Sequence, residues 1–250
     1  MANKASKSEE QPGVSFDTKL RPSQTRARHT FEMILAVAGE LLAEVGFERL
    51  STNLVCERAG LTPPALYRYF PNKYAILSEL GRRLMLAQDR VVFDWINAGG
   101  LEAETLEEAI AKYERVNLEV NRITKEIPGG VWILRALRAV PMLQDIRTGS
   151  SDLVARHAAD YVMKRHPKLN PEDVYAATRV ITELTYAASE MVLEQPEVDE
   201  ALVTREVCRM MALYYAHITA PPAAPAKRAR GRKAKSPVKR VGKAKPRKTS

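Results

Sequence analysis

From Gln24 to Met211 apolar side chains recur at steps of three and four with almost no interruption, and this periodicity constrains the chain more than any other feature. Sustained alternation of β-branched and polar residues is missing, as are the Asn-Gly and Asp-Gly pairs that close hairpins. A chain of this pattern must bury helix against helix, so the expected fold is all-α. In the first segment Phe31, Ile34, Leu35, Ala38, Leu41, Leu42 and Val45 share one face. Gly46 is expected to end that helix in a left-handed conformation.

Caps and breakers divide the remainder. Ser51 or Thr52 opens a short second helix that stops at Gly60. Thr62 caps a third, with Pro63 and Pro64 in its first turn, where a missing N–H costs nothing. The fourth runs from near Asn72 to about Asn97, before Gly99-Gly100. Five more are expected at roughly 104–127, 130–139, 142–166, 171–195 and 198–218, about nine helices in all. Gly149-Ser150-Ser151 is a point where the seventh can split.

Residues 1–22 are polar and aperiodic, with Pro12, Gly13 and Pro22, and are read as a flexible arm. From Pro221 the composition changes to Pro, Ala, Gly, Lys and Arg, with little to seed a core, so 221–250 is expected to be disordered. The expected organisation is therefore an arm (1–22), a first helical unit (23–80), a second (81–220) and a basic tail.

Charge follows the same division. Twelve of the 39 basic residues and none of the 30 acidic ones fall in 221–250, so the body carries 27 positive against 30 negative charges. The overall basicity belongs to the tail. Two distant cysteines, Cys56 and Cys208, rule out a disulfide scaffold and a four-cysteine zinc site. No stretch approaches a membrane span and the N-terminus lacks an apolar signal core, so a soluble, cytoplasmic protein is expected. The four histidines form no metal spacing and no phosphate loop occurs. No catalytic activity, metal or cofactor is expected.

The informative segment is Ser51–Leu77. Two short helices meet at Ala59-Gly60-Leu61, with Leu54, Val55 and Ala59 facing inward from the first and Leu66 and Phe70 from the second. Small residues at the joint let helices approach closely, the helix-turn-helix plan. The second helix, expected over 63–70, exposes Pro63, Ala65, Tyr67, Arg68 and Tyr69. Small Pro63, Pro64 and Ala65 suit an approach to base edges, and Arg68 offers a bidentate fork to guanine. Thr52, Tyr67, Tyr69 and Lys73 offer donors to flanking phosphates, as do the helix N-termini at Thr52 and Thr62.

At these residues the chain resembles the N-terminal DNA-binding domain of TetR-family transcriptional regulators. The similarity lies in Gly46-Phe47, Thr52, Ala59-Gly60-Leu61-Thr62, Leu66-Tyr67-Arg68-Tyr69-Phe70 and Lys73, and covers about residues 24–80. Cys56 replaces the usual Ala, and Pro64-Ala65 the more frequent Gly-Thr. The resemblance implies a homodimer on double-stranded DNA at a near-palindromic operator, paired through the last two helices. It also implies a small-molecule effector among the middle helices and, most often, repression relieved by that effector. In 171–195, Val174, Ala177, Ile181, Leu184, Ala188 and Met191 form an apolar stripe fit for such pairing. Candidates to line an effector site are Trp132, Tyr113, Tyr161 and Tyr186, with Trp95, Met142 and Met163 behind them. For each, ordinary core is the alternative reading. Arg135 and Arg138 are candidates to meet an acidic ligand, with a solvated helix face as the alternative.

The tail, Lys227–Lys248, resembles in composition the tails of linker histones and bacterial histone-like proteins, and is expected to add non-specific DNA affinity by counterion release. The competing reading is a nucleoid-associated architectural protein, in which the tail is the principal binder.

Overall fold

The computed structural model describes residues 18–19 and 25–220, and its described residues are helical with no strand. The elements are α1 (Thr25–Arg49), α2 (Thr52–Ala59), α3 (Pro63–Tyr67), α4 (Lys73–Asn97), α5 (Leu106–Glu126) and α6 (Gly130–Ala139). A single 3-10 turn (Pro141–Leu143) leads into α7 (Gln144–Arg165), followed by α8 (Pro171–Glu194) and α9 (Glu200–Thr219). The basic tail lies outside the described residues, as does the N-terminal arm except for Thr18 and Lys19. The Lys19 amide donates to the Tyr69 carbonyl at 2.9 Å.

The chemistry of the caps places the helix starts. Ser51, not Thr52, caps α2, its Oγ accepting from the Leu54 amide at 3.2 Å. Asn72, Thr105 and Asn170 cap α4, α5 and α8 in the same way. Gly46 bends α1 rather than ending it. Its φ of 73° and ψ of 168° are open to glycine, and a last turn follows to Arg49. Nor does α7 split at Gly149. Ser150 and Ser151 are buried and hydrogen-bond to Asp89 and Glu183 on neighbouring helices, which holds the segment in register.

One apolar core runs from Phe31, Ile34 and Leu42 of α1 through Leu66 and Phe70 to Ile76 and Leu84 of α4 and Ile133 and Leu137 of α6. The packing crosses residue 80 without a seam, because α4 is long enough to serve both halves. Glu32 of α1 holds Arg83 of α4 through two contacts at 2.5 and 2.9 Å. Beyond it α4 lies against α5 and α7, α7 lies along α8, and α9 packs on α5 and α8. No described helix is long and apolar enough to cross a membrane.

Candidate functional site

The turn between α2 and α3 has the expected form. Gly60 closes α2 at φ 63°, Val55 and Cys56 face the core, and Leu66 is fully buried. Leu54 and Ala59 are half-buried. Pro63, Pro64, Tyr67 and Arg68 are exposed and Ala65 is half-buried, so the outward face of α3 is small at its start and ends in a phenol, with the Arg68 guanidinium at the cap position just after it. Tyr67 and Thr52 share a hydrogen bond at 3.0 Å.

Three expectations need correction. Tyr69 is not exposed. It is 5% accessible and meets the Phe31 ring edge-on at 6.1 Å, because α3 closes at Tyr67 and the chain then turns Tyr69 and Phe70 inward. Thr62 occupies the cap position of α3 without a side-chain cap bond. Pro63 and Pro64 have no N–H, and the Ala65 amide donates to the Thr62 carbonyl at 3.0 Å, so no donor is left for the hydroxyl. For the same reason this helix start offers few amides to an anion. Lys73 is half-buried and donates to the carbonyls of Phe47 and Glu48, both at 3.1 Å. These carbonyls end α1, where acceptors lack helical partners, so Lys73 stitches α4 to α1 instead of standing free for phosphate.

A second feature lies among α4 to α9, a cavity of ≈ 120 Å³. Val92, Ile96, Val116, Ile181 and Met211 line it, interspersed with Gln88, Asn117, Thr178, Thr182, Thr185 and Ser189. Asp89 of α4 also lines it and is 6% exposed. Ser150 Oγ of α7 donates to Asp89 Oδ1 at 2.7 Å, and Tyr186 Oη of α8 lies 2.9 Å from the same Oγ. The Tyr186 phenol also lies 3.7 Å from the Met85 sulfur, to which it donates, and Ser150 joins the three helices. Burial pushes the Asp89 carboxyl up to about 6 and the Tyr186 phenol up to about 12.

Of the aromatic candidates, Tyr186 and Trp95 line this cavity. Trp132 does not. It packs on the core beneath α1, with the Arg135 guanidinium 4.8 Å from its ring. Tyr113 stands one layer behind the wall, edge-on to Trp95 at 5.5 Å. Tyr161 donates to Glu102 at 2.7 Å beneath the Arg165 guanidinium. Met163 packs in a separate cluster with Val162 and Val174, and Met142 is exposed. Arg138 pairs with Glu190 and Glu194, both at 2.8 Å, and Arg135 with Glu194 at 3.2 Å, so carboxylates of α8 already neutralise these cations. Burial pushes the Cys208 thiol up to about 12, which suits a core residue and not a nucleophile.

The sequence reading missed Asp89. The signal was present, since Met85, Asp89, Val92 and Ile96 step along the buried stripe of α4 and an acid in that register has to be accommodated.

Comparison with known proteins gives two matches to family models. Residues 34–80 match "Bacterial regulatory proteins, tetR family", and residues 128–214 match "Tetracyclin repressor-like, C-terminal domain". The class C tetracycline repressor protein of Escherichia coli is 43% identical over 54 residues, 22% of this chain and 25% of that protein. The chain thus spans about a quarter of that repressor's length. The HTH-type transcriptional repressor KstR of Mycolicibacterium smegmatis is 27% identical over 165 residues, 64% of this chain and 72% of that protein. Among solved structures, a tetR-family transcriptional regulator from Streptomyces coelicolor superposes with a TM-score of 0.55 at 16% identity, covering 76% of this chain and 82% of that one. The fatty acid degradation regulator FadR of Bacillus halodurans gives 0.52 at 18%, covering 73% and 94%. At these identities the superpositions show the shared fold.

Proposed function

The chain belongs to the TetR family of bacterial regulatory proteins, and from that premise we propose that it is a sequence-specific DNA-binding repressor released by a small molecule. The observation that carries this reading is the exposed face of α3, a helix too short for much core duty, where Pro63, Pro64 and Tyr67 stand outward and Arg68 follows, exposed, at the C-cap. Such a helix enters a major groove with its small N-terminal residues against base edges. Arg68 then reaches guanine, and Thr52 and Tyr67 stand toward the phosphate backbone.

One such helix gives little affinity, and two-fold pairing supplies a second about 34–36 Å away, one DNA turn. The pairing face is α8 with α9. Met191, Leu202, Met210, Leu213 and Tyr214 are exposed there beside a groove of ≈ 730 Å³ that includes Leu184, Ala188 and Val207. Monomers rarely leave apolar side chains grouped in this way.

The cavity is the effector site. Its Tyr186–Ser150–Asp89 contacts end on α4, whose first turn is anchored to α1 by Lys73. A ligand that repositions α4 changes the spacing of the paired α3 helices and disfavours the DNA-bound state. The basic tail adds sequence-independent affinity, and the protein acts in the cytoplasm on the nucleoid.

Footprinting tests this reading with the full chain and with 221–250 removed. A discrete near-palindrome should be protected in both cases, with weaker binding and a flatter salt dependence after truncation. Weak protection of all sequences, lost with the tail, would instead favour an architectural role. Arg68→Ala should weaken the palindrome by about 1–3 kcal/mol and relax one base position.

A further inference from the structure

Two carboxylates, Asp89 and Glu190, line the cavity, and no Lys, Arg or His does. Their situations differ. Glu190 is held by Arg138 at 2.8 Å and by Arg147 at 2.9 Å. Asp89 receives one hydrogen bond, from Ser150, and among the described residues no basic side chain pairs with it. Arg147 is close by, yet it is committed to Glu183, Glu190 and the face of the Tyr186 ring, 4.7 Å away. The cavity wall therefore holds a nearly inaccessible acid that no basic side chain among the described residues neutralises.

A buried carboxylate of this kind gains most from a partner that brings its own positive charge, through short charge-assisted hydrogen bonds in a medium of low dielectric. An anionic ligand would add a third negative group where no cation awaits it. A neutral ligand would leave Asp89 as it is. The geometry points to an organic cation as the effector: an amine whose ammonium group meets Asp89 and whose apolar body lies along Val92, Ile96, Ile181 and Met211. This assignment rests on the reading of the cavity as the ligand site and specifies its chemistry. Because the upward displacement of the Asp89 carboxyl stops at about 6, the carboxylate remains mostly charged at neutral pH and available to such a ligand.

Three probes with one body and different heads separate the cases: phenylbutylamine, phenylbutanol and phenylbutyrate, titrated calorimetrically into the full chain at neutral pH. The amine should bind roughly 10–100-fold tighter than the alcohol, and the carboxylate weakest. Asp89→Asn should remove the preference for the amine and leave the alcohol unchanged. An alcohol that equals the amine, a carboxylate that binds first, or a preference that survives in Asp89→Asn would overturn the charge assignment and spare the cavity. No binding of any probe, or binding that persists in Ile181→Trp, which fills the apolar stretch, would overturn the cavity reading and the proposal with it. The ranking in the unaltered protein decides the matter even if the Asn variant does not fold.

Discussion

The Thr52 hydroxyl and the Tyr67 phenol lie 3.0 Å apart, a hydrogen bond that ties the first residue of α2 to the last residue of α3. It spans the open side of the turn, opposite the buried Val55 and Leu66, and so fixes the angle at which α3 is presented. Tyr67→Phe removes the bond and keeps the ring. The expected loss is about 0.5–1.5 kcal/mol of unfolding free energy, read from a denaturant titration. An unchanged midpoint together with weaker DNA binding would assign the phenol to phosphate rather than to helix spacing.

Gly39 marks where α1 meets the turn before α6. A methyl group added there would stand 2.7 Å from the Pro128 carbonyl oxygen, and that obstacle is backbone, not a flexible side chain. Gly39→Ala should therefore force α1 and the turn apart at a cost of about 1–3 kcal/mol. Operator affinity measured by fluorescence anisotropy should change with it, although no DNA-facing residue is altered. Full affinity with normal stability would show that this contact does not set the position of α3.

Asp89 gives a pH dependence of definite sign. Its folded-state pKa is raised from 3.8 to about 6, so the charged form costs stability. The cost is absent below the unfolded value and complete above the folded one. Asp89→Asn, which keeps an acceptor for Ser150, should accordingly be more stable than the parent at pH above 6, by up to about 3 kcal/mol. The advantage should fade as pH falls through 6 towards 4. Denaturant midpoints at neutral and acidic pH check this, and a variant equally destabilised at both would assign Asp89 a purely structural role.

Met210 stands 54% exposed on α9 beside Leu202 and Leu213. A carboxylate there would have to be desolvated if this face pairs with a second copy. Met210→Glu should sediment as a monomer with unchanged helical circular dichroism and should lose the protected palindrome. A dimer of undiminished strength would place the interface elsewhere.

The local features of the molecule were legible before any coordinates. Starts at Asn72 and Asn170, the stop at Gly60 and the inward path of Leu66 and Phe70 each depend on a few adjacent residues, whose capping and periodicity act over one or two turns. The resemblance carried by Ser51–Leu77 was legible for the same reason, since a helix-turn-helix is a short-range object.

What the sequence could not decide was which faces meet. Tyr69 and Tyr67 are two residues apart with similar side chains, yet one packs on Phe31 and the other faces outward, because α3 ends between them. Of the seven aromatic and methionine candidates, with Trp132 foremost, the crossing of α4, α7 and α8 admitted Trp95 and Tyr186 to the cavity wall. The same crossing brings Ser150 to Asp89 across sixty-one positions of chain and leaves every cation out of the cavity wall. Periodicity fixes the buried stripe of each helix. The partners of that stripe, and hence the charge left unmatched inside it, follow from packing between helices distant in sequence.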